Sequence, residues 1–347
     1  MRLGVEAAVV GGELLRGDVE VRDGLVAGVG LPNGGTGIAV PGFVDLQVNG
    51  YGGIDLLTEP ERWPEVDTML ADLGVTTWQP TLISAPPEQT IKALSAIKLG
   101  VHLEGPFLSR VGAHPPECLR ESDVQLLRSF LAAGTVTTVT LAPELPGALE
   151  LVEELRRHEI VVSLGHSAAD AATAHVVFDH GARTVTHLFN VMPPFGHREP
   201  GLAGAALVRD DVVIQLICDG VHLADELVLL VWRVARGRFA VVSDSIAAAG
   251  VGDGTFHVGG VEVRVEAGVS RTSEGSLAGG TGTVPDAVRR LVALGVPLTD
   301  AVDAATRVPA RMLRGADIGT LAPGTRADVV VLDDELRVTR VVRAGIG

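Results

Sequence analysis

The sequence predicts an α/β protein: a (β/α)₈ TIM-like barrel with a small β-sandwich domain formed by the two ends of the chain. Three observations predict it. Eight Val-rich runs of strand length alternate with helical patterns through the middle of the 347 residues. Short alternating strands with turn residues between them occupy both ends. Four of the runs lead into a polar residue where the apolar pattern stops, at Glu104, His166, His187 and Asp244, and a parallel barrel gathers its strand ends at one mouth.

Taken in order, residues 1–40 alternate as Gly17-Asp-Val-Glu-Val-Arg-Asp-Gly-Leu-Val-Ala-Gly-Val29, which reads as half of a small β domain. The expected barrel strands are Phe43–Val48, Val75–Gln79, Gly100–Glu104, Val136–Leu141, Ile160–Leu164, Thr184–Leu188, Val213–Ile217 and Phe239–Val242. Between them fall helical patterns rich in Ala, Leu, Glu and Arg, such as Glu121–Ala133, Ala148–Arg157 and Ala168–His180. Residues 250–280, Gly-rich and alternating, predict a β-hairpin inserted after the eighth strand. The strand character returns in Ala327–Asp333 and Leu336–Arg343, so that residues 1–40 and 318–347 would form one domain and 41–317 the barrel. A doubly wound open sheet is the weaker alternative, because no Gly-x-Gly-x-x-Gly follows the first strand.

Composition fits this architecture. Aromatics make up only 3% of the chain, so the interior must be built from Ala, Val and Leu, as suits helices packed closely on strands. A net charge of -15 argues against a nucleic-acid partner, and no apolar run approaches the roughly 20 residues needed to cross a bilayer. With acidic Glu6 and Glu13 where a signal peptide would be basic, the expected location is the cytoplasm. Cys118 and Cys218, the two cysteines, are too few for a disulfide framework or a thiolate zinc site, so a metal would rely on His and carboxylate.

Glu104, His166 and His187 would supply one carboxylate and two imidazoles from the third, fifth and sixth strands. Singly, each has an ordinary structural explanation: a helix cap for Glu104, a hydrogen-bonded residue for His166, a core histidine for His187. Their common position at strand ends favours a metal site. Asp244 could cap a helix, or act as general base on water activated by the metal. Gln47 and Asn49 lie on one face of the first strand, and their amides would donate hydrogen bonds near water or substrate. An amide pair there favours a single divalent metal, Zn²⁺ first, with Fe²⁺, Co²⁺ and Mn²⁺ accepting the same donors. His102, two residues before Glu104, is expected in the barrel interior or behind the ligands.

Seven segments in order, Pro41-Gly-Phe-Val-Asp-Leu-Gln-Val-Asn-Gly50, His102-Leu-Glu-Gly-Pro-Phe107, Gly165-His-Ser167, His187-Leu-Phe-Asn-Val-Met-Pro193, His197-Arg-Glu-Pro-Gly201, Asp219-Gly-Val-His222 and Ser243-Asp-Ser245, carry a resemblance. Over nearly its whole length the chain resembles the N-acetylglucosamine-6-phosphate deacetylases of the amidohydrolase superfamily. The resemblance implies a metal-dependent deacetylation of a phosphorylated amino sugar and a homodimer. It also implies metal ligation by Glu104, His166 and His187, catalysis by Asp244, and substrate contacts from Ala113, His114, Asn190, Val191, His222 and the Leu277-Ala278-Gly279 loop. Arg198 would hold the phosphate, from its own subunit or across a dimer from the neighbouring one, and so give an acidic protein a local positive charge. Tyr51, Val191 and Gly280 depart from the family's usual cysteine, alanine and serine, which bears on substrate preference and not on ligands or base.

Two rival readings remain at this level. Cyclic-amide hydrolases and deaminases favour His-x-His on the first strand, which this chain lacks, and a non-catalytic barrel would have no need of all four strand-end residues.

Overall fold

The computed structural model describes residues 1–32, 34–313 and 317–343; residues of the expected domains at 33, 314–316 and 344–347 lie outside the described residues. Eight parallel strands form one sheet in sequential order: β1 (Phe43–Val48), β2 (Val75–Ile83), β3 (Val101–Glu104), β4 (Val136–Leu141), β5 (Val161–Leu164), β6 (Thr184–Val185), β7 (Val213–Ile217) and β8 (Phe239–Val242). Their residues are almost all buried on both faces, which is why they read as continuous Val-rich runs instead of alternating ones. Right-handed crossovers through helices suit such a sheet, and α1 (Trp63–Asp72), α2 (Pro87–Ala96), α3 (Val124–Ala133), α4 (Ala148–Arg157) and α5 (Ala171–Asp179) follow β1 to β5 in turn.

Local chemistry sets where these helices begin. Asp123 accepts hydrogen bonds from the backbone N–H groups of Gln125 and Leu126, and Asp170 from that of Thr173, so α3 and α5 start three residues later than their apolar periodicity suggests. Strand β6 also differs from expectation, ending at Val185 and not at Leu188. The backbone of His187 turns to a φ of 29° and that of Phe189 to 75°, which no extended strand can accommodate.

The barrel closes without a full ladder between β1 and β8. One parallel bridge joins Val48 to Ser245, and the Asn49 N–H donates to the Ser245 carbonyl at 2.8 Å. The buried Asp45 carboxylate completes the seam by accepting from the Ser243 N–H at 3.2 Å and from the Gln47 N–H at 3.3 Å. Inside the barrel a polar layer runs from strand to strand. His102 lies 3.2 Å from the Leu46 carbonyl through Nδ1 and 2.7 Å from the Thr140 hydroxyl through Nε2, and Thr140 is 2.7 Å from Thr186, which meets Ser163.

The two ends of the chain share one five-stranded sheet, ordered Glu13–Arg16, Ala7–Val10, Ile38–Pro41, Val329–Leu332, Val338–Val342. A two-stranded sheet, Asp18–Arg22 with Leu25–Leu31, encloses with it a small core that includes Val5, Val19, Val26, Ala39 and Val329. The segment after β8 corrects the expected hairpin: Gly254–Val258, Val261–Glu266 and Val269–Thr272 form a three-stranded antiparallel sheet. Two tight turns make it, Gly259-Gly260 and Ala267-Gly268, each with φ positive at both central positions as a type I′ turn requires. The Gly259 N–H donates to Asp55 at 2.8 Å, which ties this sheet to the loop after β1 and over the barrel mouth.

Candidate active site

At the mouth, Glu104 ends β3, while His166, His187 and Asp244 each follow a strand by two residues. All three of these last residues have positive φ, 48°, 29° and 49°. A left-handed residue there turns the chain sharply and costs on the order of 1–3 kcal/mol, which the packed strands on either side must sustain. Glu104, His166 and His187 are each only 3% exposed.

Their donor atoms converge. Glu104 Oε1 lies 2.9 Å from His187 Nε2 and 3.2 Å from His166 Nε2, and the two Nε2 atoms are 3.2 Å apart. The Nδ1–H of His166 donates to the Arg110 carbonyl at 3.0 Å, which leaves Nε2 with a free lone pair. One ligand atom from each residue falls within 4.8 Å of the others. Two imidazole nitrogens facing one carboxylate oxygen in a buried pocket are a donor set that a divalent cation fits. Behind them, Glu144 in the loop after β4 accepts from Ser167 Oγ at 2.7 Å and from Ser109 and the Ala168 N–H, holding the β3 and β5 loops together.

The electrostatics follow from burial and crowding. Burial works against the charge of Glu104, yet the imidazoles of His114, His166 and His187 crowded around it hold its carboxyl well below the usual range. Burial and the neighbouring His114 push His166 down to about 4, so it is neutral, as a ligand must be. For His187 burial acts downward, but the Glu104 carboxylate overcomes it and raises the imidazole. Asp244 goes the other way: burial and the Glu104 charge lift it to about 7, against His187, His222 and Asn49. The Asn49 amide donates to Asp244 Oδ1 at 2.8 Å.

These groups open onto a cavity of about 840 Å³. Its wall includes Ala113, His114, Asn190, Val191, His222 and the loop of Leu277, Ala278 and Gly279 beside the metal-site residues, Asn49 and Asp244. Gly279 (φ 72°) lets that loop approach closely, since a Cβ there would lie 2.9 Å from the Asp244 carbonyl. His222 Nδ1 pairs with Asp219 at 2.7 Å, which turns its Nε2 free of that contact. Two expected residues lie off this wall. Gln47 is 0% exposed inside the barrel, off the cavity wall, and neither amide atom of its side chain has a hydrogen-bond partner among the described residues. Arg198 lies in the loop after β6 but does not line the cavity of its own chain. Sequence reading missed Ser84, Arg110 and Glu144; each directly follows or lies near a strand end, which is the signal that could have found them.

Residues 38–346 match the amidohydrolase family model. The chain belongs to the amidohydrolase family. Members of it are metal-dependent, and Glu104, His166 and His187 are this amidohydrolase's candidate metal site. It is 36% identical to N-acetylgalactosamine-6-phosphate deacetylase of Escherichia coli O157:H7, over 93% of this chain and 92% of that one. It is also 36% identical to N-acetylglucosamine-6-phosphate deacetylase of Mus musculus, over 96% and 92%. Among solved structures, the amidohydrolase resembles a mutant N-acetyl-D-glucosamine-6-phosphate deacetylase of Mycobacterium smegmatis in complex with N-acetyl-D-glucosamine 6-phosphate, with a TM-score of 0.93, 37% identity and coverage of 99% and 98%. The Thermotoga maritima N-acetylglucosamine-6-phosphate deacetylase superposes with a TM-score of 0.91 at 33% identity, again over 99% and 98%.

Proposed function

We propose that this amidohydrolase removes the acetyl group of N-acetyl-D-glucosamine 6-phosphate, releasing D-glucosamine 6-phosphate and acetate. The observation that carries the reading is the buried Glu104, His166 and His187 cluster sharing one cavity with an Asp244 carboxyl raised to about 7, in a chain whose relatives carry that activity in their names.

Glu104, His166 and His187 would hold one divalent cation, Zn²⁺ first and Fe²⁺, Co²⁺ or Mn²⁺ with the same donors. Bound there, it supplies Lewis acidity toward the acyl oxygen and the attacking water. Asp244, oriented by Asn49, takes the water's proton and then delivers it to the sugar nitrogen as the C–N bond breaks. His114 donates to the oxygen on which negative charge develops. The wall formed by Val191 and the 277–279 loop faces the sugar ring. Since Arg198 does not line its own chain's cavity, its position supports a homodimer in which it reaches the phosphate in the neighbouring subunit. No described helix is long and apolar enough to cross a membrane; the proposed substrate, a phosphorylated metabolite, is one an enzyme would meet in the cytoplasm.

The test is acetate release from N-acetylglucosamine 6-phosphate and from the same sugar without phosphate, on protein of counted metal content. Turnover confined to the phosphorylated sugar and abolished by a chelator is expected. Arg198→Ala should raise KM for it roughly 10- to 100-fold, the size of a charged hydrogen bond, with little change in kcat. No turnover with metal bound, or equal activity on both sugars, would overturn the reading. The galactosamine epimer belongs in the same assay, because one relative is named for it.

A further inference from the structure

We propose that Ser84 is a positioning residue that locks His114 as its Nε2–H tautomer, so that the ring offers a hydrogen-bond donor to the acyl oxygen of the substrate. Ser84 is the first residue after β2, a strand that contributes nothing else to the chemistry described above. It is 2% exposed and His114 4%. The Ser84 backbone N–H donates to His114 Nδ1 at 3.2 Å, and the Ser84 hydroxyl lies 2.9 Å from the same nitrogen.

An N–H directed at Nδ1 requires a lone pair there, so in the neutral ring the proton resides on Nε2. The other tautomer could give its Nδ1–H to the Ser84 hydroxyl, but it would set that N–H against the Ser84 backbone N–H, leave the latter unpaired in a buried site, and turn an Nε2 lone pair toward the Glu104 carboxylate. On the far side of the ring, Nε2 lies 3.7 Å from Glu104 Oε2, and His114 lines the cavity. A donor is therefore aimed at the place where the metal-site carboxylate and the substrate meet. The edge of the His114 ring packs on His166, with centroids 4.5 Å apart, which fixes its plane. Gly105 makes room for this: a Cβ there would come within 2.5 Å of Ser84 Oγ. The catalytic consequence rests on the deacetylase reading; the tautomer does not.

Nitrogen-15 spectra of the zinc-loaded, histidine-labelled full-length protein decide the tautomer, with His114→Asn identifying the signal. A protonated Nε2 and bare Nδ1 are expected, and a protonated Nδ1 would overturn the proposal. In kinetics, Ser84→Ala should lower kcat about three- to tenfold, the size of one hydrogen bond, with KM and metal content unchanged. Ser84→Thr, which keeps the hydroxyl, should restore it. An unchanged kcat in Ser84→Ala, or a fall that tracks loss of metal, would count against the positioning role. Failure to hydrolyse any acetylated amino-sugar phosphate would instead remove the functional reading and leave the spectrum to decide the tautomer.

Discussion

At the scale of single residues, the site works by setting neighbouring carboxyls apart. Glu104 is held ionised by three imidazoles, while burial and the Glu104 charge raise Asp244 to about 7. In the proposed reaction Asp244 accepts a proton and is idle while protonated, so kcat/KM should climb with pH. Its midpoint should lie at or below about 7, because a cation held by Glu104, His166 and His187 would favour the ionised form of Asp244. Asp244→Asn should keep the metal and lose roughly 10²- to 10⁴-fold in kcat, the usual contribution of a general base. A variant retaining the wild-type pH profile would exclude Asp244 from that role. The Gly279 backbone is equally constrained. An alanine there meets Ile246 Cγ2 at 2.5 Å and the Asp244 carbonyl at 2.9 Å in a left-handed conformation, so Gly279→Ala should lose about 1–3 kcal/mol of stability. Denaturant titration measures this, and kcat should fall with it as Asp244 is displaced.

At the scale of elements, the eight strands were legible because burial on both faces writes them as uninterrupted Val-rich runs. The four strand-end residues were legible because polarity at such a position stands out. Less was visible where meaning depends on a partner far along the chain. Nothing local in Ala267-Gly268 announces a second turn as plainly as Gly259-Gly260 does, so three strands read as two. Gln47 looked available because alternation places it with Asn49, but how deep each lies along a strand is decided by the barrel's stagger. The Ser84 contact joins residues thirty positions apart and leaves no periodic trace. The polar layer of His102, Thr140, Ser163 and Thr186 links β3, β4, β5 and the residue that follows β6 beneath the candidate metal site. Thr140→Val removes the partner of His102 Nε2 inside the barrel and should destabilise the protein by about 1–3 kcal/mol. Equal melting temperatures for variant and wild type would show the layer to be energetically idle.

At the scale of the whole molecule, the seam between β1 and β8 depends on Asp45. Burial raises its carboxyl to about 6, against hydrogen bonds from Ser243 and Gln47. Between the unfolded value near 3.8 and about 6, the folded protein holds more protons than the unfolded chain, so stability falls as pH rises through that window and then levels. The change amounts to about 3 kcal/mol. Asp45→Asn should flatten that part of the stability profile, and an unaltered slope in urea titrations at a series of pH values would refute the assignment. The same seam orders events in time. The Asn49 to Asp244 hydrogen bond spans 195 residues, and the Ser243 to Asp45 contact 198. Contacts so distant in sequence form only after the intervening chain has been placed. A chain emerging from the ribosome can thus assemble β3, β5 and β6 well before Asp244 meets Asn49. The mouth is completed last, when the barrel's final strand meets its first.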